Sequence, residues 1–385
     1  MPFTHLKDDL QLLAEQGLLR HRRVLESAQG VNVRVDGEEY VSFCSNDYLG
    51  LANHPALIEA ARQGVTRYGV GAGASHLVTG HNTAHHALEI QLAEFAGLPA
   101  ALLFSTGYMA NIGVVTALLG HHDAVFADKL NHASLNDAAL LARAQMRRYP
   151  HLDMSALERM LAQSKAINKL VISDAVFSMD GDIAPVAELL RLCEQYDAYL
   201  LLDDAHGFGV LGEGGRGTLA HFQIASPRII YMATLGKAAG VFGAFVAATP
   251  ELIEMLVQRA RSYIFTTAAP PMLAVALQAS IALIGTEAWR RTHLNDLIAR
   301  FRSKLKLRRW RLLRSQTPIQ PVVIGSNAET VQVSEMLLAR GLLVPAIRPP
   351  TVPQGQARLR ISLSAAHRIE DIDRLIDTLH QFEAT

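Results

Sequence analysis

The sequence predicts an α/β protein, with a mostly parallel sheet in a large domain and a smaller α+β domain at the C-terminal end. Three observations lead there. Short apolar runs alternate with helical patterns along most of the chain. The runs are hydrophobic from end to end, as strands are when helices cover both faces of their sheet. Polar residues follow the runs directly, where ligands bind in open α/β sheets, beyond the carboxyl ends of the strands. At 385 residues, half of them hydrophobic, the chain is long enough for two cores.

The elements follow in chain order. Residues 1–45 form an N-terminal segment, and 46–285 the large domain. Pro55 to Tyr68 carries a helical pattern. The stretch from Leu98 to Gly120 is the most apolar, but Ser105, Thr106, Asn111 and several glycines interrupt it, so it reads as a buried strand, turn and helix and not as a membrane span. Its strand is Ala100–Phe104, and further strands are read at 124–127, 170–173, 199–202, 229–232 and 243–247. Pro270-Pro271 opens an apolar helix to about Ile284, with Gly285 as its stop and as the domain junction. Residues 286–385 then hold strands at 321–324 and 359–363, a helix from about Glu329 to Arg340, a proline-rich loop through Pro353 and a closing helix after Arg368.

Composition narrows the function. Lys plus Arg equals Asp plus Glu at 36 each, so no overall field favours nucleic acid or a membrane, and a small-molecule substrate is expected. The N-terminus has no basic start followed by an apolar run, and Asp8 and Asp9 come early, which reads as a cytoplasmic protein. Cys44 and Cys193 are far apart and read as reduced thiols.

Chemistry concentrates in two segments. Leu200-Leu201-Leu202-Asp203-Asp204-Ala205-His206-Gly207 delivers a carboxylate and a histidine from an apolar strand, and Ala233-Thr234-Leu235-Gly236-Lys237-Ala238 delivers a lysine among small uncharged neighbours. Such a lysine can lose its proton and hold a carbonyl cofactor as a Schiff base, with an acid beside the cofactor ring. Asp204, next along the strand, points to its other face and reads as structural. Ser105-Thr106-Gly107-Tyr108 sits between a strand and a helix, where N–H groups and the helix dipole seat a phosphate.

These segments resemble the pyridoxal-phosphate-dependent aminotransferase superfamily of the aspartate-aminotransferase-like fold (fold type I), and within it the α-oxoamine synthases. The resemblance covers nearly the whole chain. It implies pyridoxal 5'-phosphate held by Lys237, with Asp203 at the ring nitrogen, His206 at the phenolic oxygen, Gly107 and Tyr108 at the phosphate, and Ser178 and Thr234 as further cofactor contacts. Thr266 or Thr267 matches a residue supplied to the phosphate across a homodimer interface, and His132 one that stacks on the ring and touches substrate. Arg360 matches the arginine for the carboxylate of an amino acid, with Arg358 as the next candidate. Arg20, within a residue or two, and Thr351 match substrate-binding positions.

Phe43-Cys44-Ser45-Asn46-Asp47-Tyr48, Asn131-His132-Ala133-Ser134 and Arg348-Pro349-Pro350-Thr351-Val352-Pro353 are similar to the family branch that serves biotin biosynthesis. That branch implies condensation of L-alanine with a pimeloyl thioester, on coenzyme A or acyl carrier protein, with a glycine C-acetyltransferase as the alternative. Ala238 departs from the family, where glycine or a larger residue often follows the lysine.

Other motifs carry less. Gly69-Val70-Gly71-Ala72-Gly73 follows a helix where a dinucleotide loop needs a strand. His81, His85 and Glu89 have metal-like spacing on one helical face, but no further cluster supports them and no metal is expected. The basic stretch Arg300–Arg311 reads as a solvated face.

Overall fold

The structure, a computed structural model, describes residues 3–384, so Met1 and Pro2 of the N-terminal stretch and the last residue, Thr385, lie outside the described residues. The chain divides into two compact units. One comprises Leu49–Ser178 and Asp182–Arg291; the other comprises Met1–Tyr48, Met179–Gly181 and Thr292–Thr385.

The larger unit is built on a seven-stranded sheet: β1 (Ala100–Phe104), β2 (Ala124–Asp128), β3 (Gln145–Tyr149), β4 (Lys169–Asp174), β5 (Tyr199–Asp203), β6 (Ile229–Thr234) and β7 (Ala244–Ala248). The spatial order is β1-β7-β6-β5-β4-β2-β3. Strands β3, β2, β4, β5 and β6 run parallel, and β7 is antiparallel to both neighbours. Five of the six predicted runs are buried along nearly their whole length, and β5 is exposed only at Tyr199. β3 is not expected from the sequence. It is an edge strand, Gln-Met-Arg-Arg-Tyr, mostly half-buried or exposed, so it lacks the apolar run that betrays a central strand.

Helices α1 (Pro55–Tyr68), α2 (Thr83–Ala96), α3 (Gly107–Leu118), α4 (Ala133–Leu141) and α5 (Pro271–Thr286) pack in this unit. α1 meets α5 where Gly64 has no side chain: a Cβ there would lie 2.7 Å from Met272 Cα. α5 runs through Gly285, and the unit boundary falls at Arg291/Thr292, inside the following helix, Ala288–Lys304. Among the described residues no single helix is long and apolar enough to cross a membrane.

The smaller unit joins the N-terminal segment to the C-terminal region. Asn32–Val35 and Glu38–Ser42 form a hairpin that adds Leu342–Leu343 in parallel. Asp36 and Gly37 turn the hairpin with φ of 52° and 87°. An Asp-Gly pair between alternating apolar residues is the usual signature of such a turn, so the signal was present in the sequence. A second, antiparallel sheet is formed by Arg311–Leu312, Ile319–Gly325, Ala357–Ser362 and Ala346–Ile347. Met179–Gly181 belongs to this unit because Arg358 donates to Met179 O and Asp180, and Ser315 and Thr317 donate to Gly181 O.

Candidate active site

The residues that end β5 and follow β6 come together in the larger unit. Lys237 sits in a tight turn after β6, where Gly240 N donates to Lys237 O and Val241 N to Leu235 O. Gly240 has φ of 70°, and a Cβ there would lie 2.6 Å from Ala52 N, so the turn needs glycine at this position. Lys237 Nζ reaches to 2.8 Å from His206 Nε2. Beside them, Thr234 Oγ1 donates to Gly243 O.

Asp203 closes β5 and is 4% exposed. Its Oδ1 accepts from Ala205 N at 3.0 Å and its Oδ2 from Asn111 Nδ2 at 2.8 Å, so a buried carboxylate holds two neutral donors. Asn111 Nδ2 also donates to Ser134 Oγ at 2.9 Å, and Ser134 Oγ lies 2.8 Å from His132 Nδ1. Four residues from α3, α4 and β5 thus form one connected network. His132 caps α4, and its backbone N donates to Asp174 Oδ2 at 2.6 Å. Burial lowers the pKa of His132, which the charge of Asp203 opposes. Burial and the neighbouring Asp203 raise the pKa of Asp174.

The N-terminus of α3 faces the same residues. Thr106 caps it by accepting from Met109 N, and a Cβ on Gly107 would lie 3.6 Å from Met232 Cε and 3.9 Å from Thr234 Cβ. The Tyr108 hydroxyl donates to Asp137. An acid for a cationic ring nitrogen, an amine for an aldehyde and N–H groups for a phosphate make a donor set that fits pyridoxal phosphate. Asn111 Oδ1, buried without a partner, adds an unused acceptor beside Asp203.

Ser178 is half-buried on the loop after β4, and Thr266 is half-buried between the helix Arg261–Ile264 and α5, next to exposed Phe265. Thr267, its alternative, is exposed.

In the smaller unit, Arg20 and Thr351 line one cavity of about 1130 Å³, together with Cys44 and Arg348. Arg360 is buried on Ala357–Ser362. Its guanidinium donates to Ser362 Oγ at 2.9 Å and twice to Asn46 Oδ1 at 3.3 Å. Arg358, the next candidate for a substrate carboxylate, is instead engaged with Asp180 at 2.8 Å. Asn46, Asn111 and Ser134 stand in the quoted sequence motifs without a task. Each is bonded to the side chain of a candidate residue, Arg360, Asp203 and His132 respectively, which spacing along the chain does not reveal.

One expectation is corrected. His81 lies before α2, which starts at Thr83, so it does not share a helical face with His85 and Glu89. His85 uses both ring nitrogens locally, Nε2 with Ala269 O and Nδ1 with Asn82 N in a capping box. The basic stretch is a solvated face as expected: Lys304, Lys306, Arg308, Arg309 and Arg311 are exposed, with surface pairs such as Arg300 to Asp373 and Arg309 to Glu329, while the interleaved Phe301, Leu305 and Trp310 are buried.

Comparison with known proteins identifies the family. The model of the aminotransferase class I and II family matches residues 38–379. An 8-amino-7-oxononanoate synthase from Methylobacillus flagellatus is 64% identical over 378 residues, covering 98% of this chain and 96% of that protein. A serine palmitoyltransferase from S. paucimobilis with bound PLP is 29% identical, with a TM-score of 0.92 over 98% of this chain and 96% of that one. An 8-amino-7-oxononanoate synthase from Francisella tularensis is 30% identical, with a TM-score of 0.76 over 90% of this chain and 99% of that one.

Proposed function

The chain belongs to the aminotransferase class I and II family, and from that membership we propose how its residues divide the work. It is a pyridoxal-phosphate-dependent acyltransferase of biotin biosynthesis that condenses L-alanine with a pimeloyl thioester to 8-amino-7-oxononanoate. The observation that carries this is 64% identity to such a synthase over 98% of the chain. That identity favours it over a glycine C-acetyltransferase. In the net reaction a bond forms between alanine Cα and the thioester carbonyl carbon, the thiol and carbon dioxide leave, and a proton returns to Cα.

When bound, pyridoxal phosphate supplies an aldehyde for amines and a ring that takes up an electron pair. In the proposed division, Lys237 holds the cofactor covalently, yields its place to the amine of alanine and then takes the Cα proton on Nζ. His206, 2.8 Å from Nζ, orients that amine. Asp203 faces the ring nitrogen, its carboxylate held in place by neutral donors on both oxygens. His132 stacks on the ring; Gly107, Tyr108, Ser178, Thr234 and Thr266 complete the cofactor contacts. Arg360 takes the alanine carboxylate in a forked geometry that only a guanidinium offers. Arg20 and Thr351, on a shared cavity, contact substrate.

The proposal includes a homodimer working in the cytoplasm. Val70, Leu77, Val78 and Phe265 are 72%, 51%, 73% and 69% exposed, flanking the point where Ala268 N bonds Ala74 O, an apolar area that a second copy would cover.

The visible spectrum of the purified protein, with L-alanine and then pimeloyl thioester added, tests the reading beside Lys237→Ala. A cofactor band that depends on Lys237 and responds to alanine supports it; a protein that takes up no pyridoxal phosphate refutes it. Turnover with the coenzyme A and the acyl carrier protein thioester, measured in parallel, decides the carrier.

A further inference from the structure

We infer that Asn111 is a positioning residue for this reaction: its side-chain amide sets the orientation of Asp203 and, through Ser134, reinforces the His132 tautomer with hydrogen on Nε2. The inference rests on the proposed roles of Asp203 and His132 at the cofactor.

Asn111 lies one turn along α3 from Gly107 and is wholly buried. An amide nitrogen only donates. Its two hydrogens meet Asp203 Oδ2 at 2.8 Å and Ser134 Oγ at 2.9 Å. The Ser134 oxygen accepts from Asn111 and lies 2.8 Å from His132 Nδ1, within reach of its own hydrogen. Ser134 N donates to the same Nδ1 at 3.3 Å. A ring nitrogen facing two donors is a bare acceptor, so neutral His132 carries its hydrogen on Nε2. The Asn111 amide sets the direction of the bonds to Asp203 and Ser134, and the Ser134 backbone N–H makes Nδ1 an acceptor.

No neighbour substitutes for this amide. Asp203 has one other donor, Ala205 N, on its other oxygen, so losing Asn111 frees the carboxylate to rotate about a single contact. The placement also couples two contacts. The first turn of α3 seats the phosphate, and the next orients the acid that faces the ring nitrogen, so one rigid helix sets the distance between them.

The test compares wild-type protein with Asn111→Ala and Ser134→Ala. Nitrogen-15 spectra of ring-labelled histidine, with His132→Gln identifying the signal, read the tautomer with or without cofactor. The expected result is hydrogen on Nε2 in wild type and a mixed tautomer in both variants. Asn111→Ala is expected to loosen pyridoxal phosphate and lower kcat by about 10- to 100-fold, with the KM for alanine within about threefold. Ser134→Ala spares the bond to Asp203 and should keep cofactor affinity within about threefold while shifting the alkaline or acid limb of the pH profile. Hydrogen on Nδ1 in wild type, or Asn111→Ala with unchanged cofactor affinity and kcat, overturns the inference. Should Asn111→Ala fail to fold, the wild-type and Ser134→Ala tautomers still decide. A wild-type protein that binds no pyridoxal phosphate would sink the functional reading, whereas the His132 tautomer reports on the network alone.

Discussion

Asp203 and Asp204 adjoin at the end of β5 and face opposite surroundings. Asp204 is fully buried and accepts from Tyr231 OH and Thr218 N on Oδ2, while Oδ1 has no partner. Burial pushes its carboxyl up to about 7. An acid whose folded pKa is raised stabilises the fold below its unfolded value, 3.8, and that stability is lost as pH rises through about 7. Asp204→Asn can keep both donors on its one oxygen and cannot ionise. Its stability relative to wild type is therefore expected to rise by about 2 kcal/mol between pH 5 and pH 8, read by denaturant unfolding at each pH; parallel profiles would show that Asp204 does not titrate there. Arg360 gives a second prediction at this scale. Asn46 Oδ1 receives both terminal nitrogens of its fork, a hold that a lysine ammonium cannot reproduce. Arg360→Lys should raise the KM for alanine about tenfold or more with kcat within about threefold, and an unchanged KM would remove Arg360 from the alanine carboxylate.

At the scale of elements, the chain announces what it buries and conceals what it shares. The six apolar runs were legible because a strand buried on both faces cannot afford polar residues. The edge strand β3 and the N-terminal hairpin were not read, since each exposes much of its length. The strand-turn-helix at β1 and α3 was legible, yet the contacts of Asn111 were not, because its partners lie 23 and 92 residues away. His151, just past β3, is a further case. It bridges Asp128 at 3.0 Å and Asp182 at 2.8 Å, and these partners overcome the opposing effect of burial to raise its pKa to about 10. The stabilisation is complete below its unfolded value, 6.5, and is lost as pH rises through about 10. His151→Gln should cost about 2 kcal/mol at pH 6, with the deficit shrinking as pH rises from 6.5 towards about 10. A deficit independent of pH would mean that the imidazole acts by packing against Phe177 alone.

At the scale of the whole molecule, a large and a small domain are expected from the sequence, but the recruitment of the N-terminal segment and of Met179–Gly181 into the smaller unit is not. Those depend on strand pairing at Leu342–Leu343 and on Arg358, contacts made more than 170 residues apart. The same scale governs Thr266. If it serves the cofactor of the second protomer, as proposed, Lys237 and Thr266 of one chain belong to different sites of the dimer. Lys237→Ala alone then disables both sites, and Thr266→Ala weakens phosphate binding at both. A heterodimer of the two variants has one site carrying both defects and one site with neither. Co-expressed with distinct affinity tags and purified as the mixed species, it should bind pyridoxal phosphate at one site with wild-type affinity and show about half of wild-type turnover, at cofactor concentrations where Thr266→Ala is mostly empty. Were Thr266 to act within its own protomer, every heterodimer site with Lys237 would lack Thr266, and lowering the cofactor concentration would silence the mixed species just as it silences the Thr266→Ala homodimer.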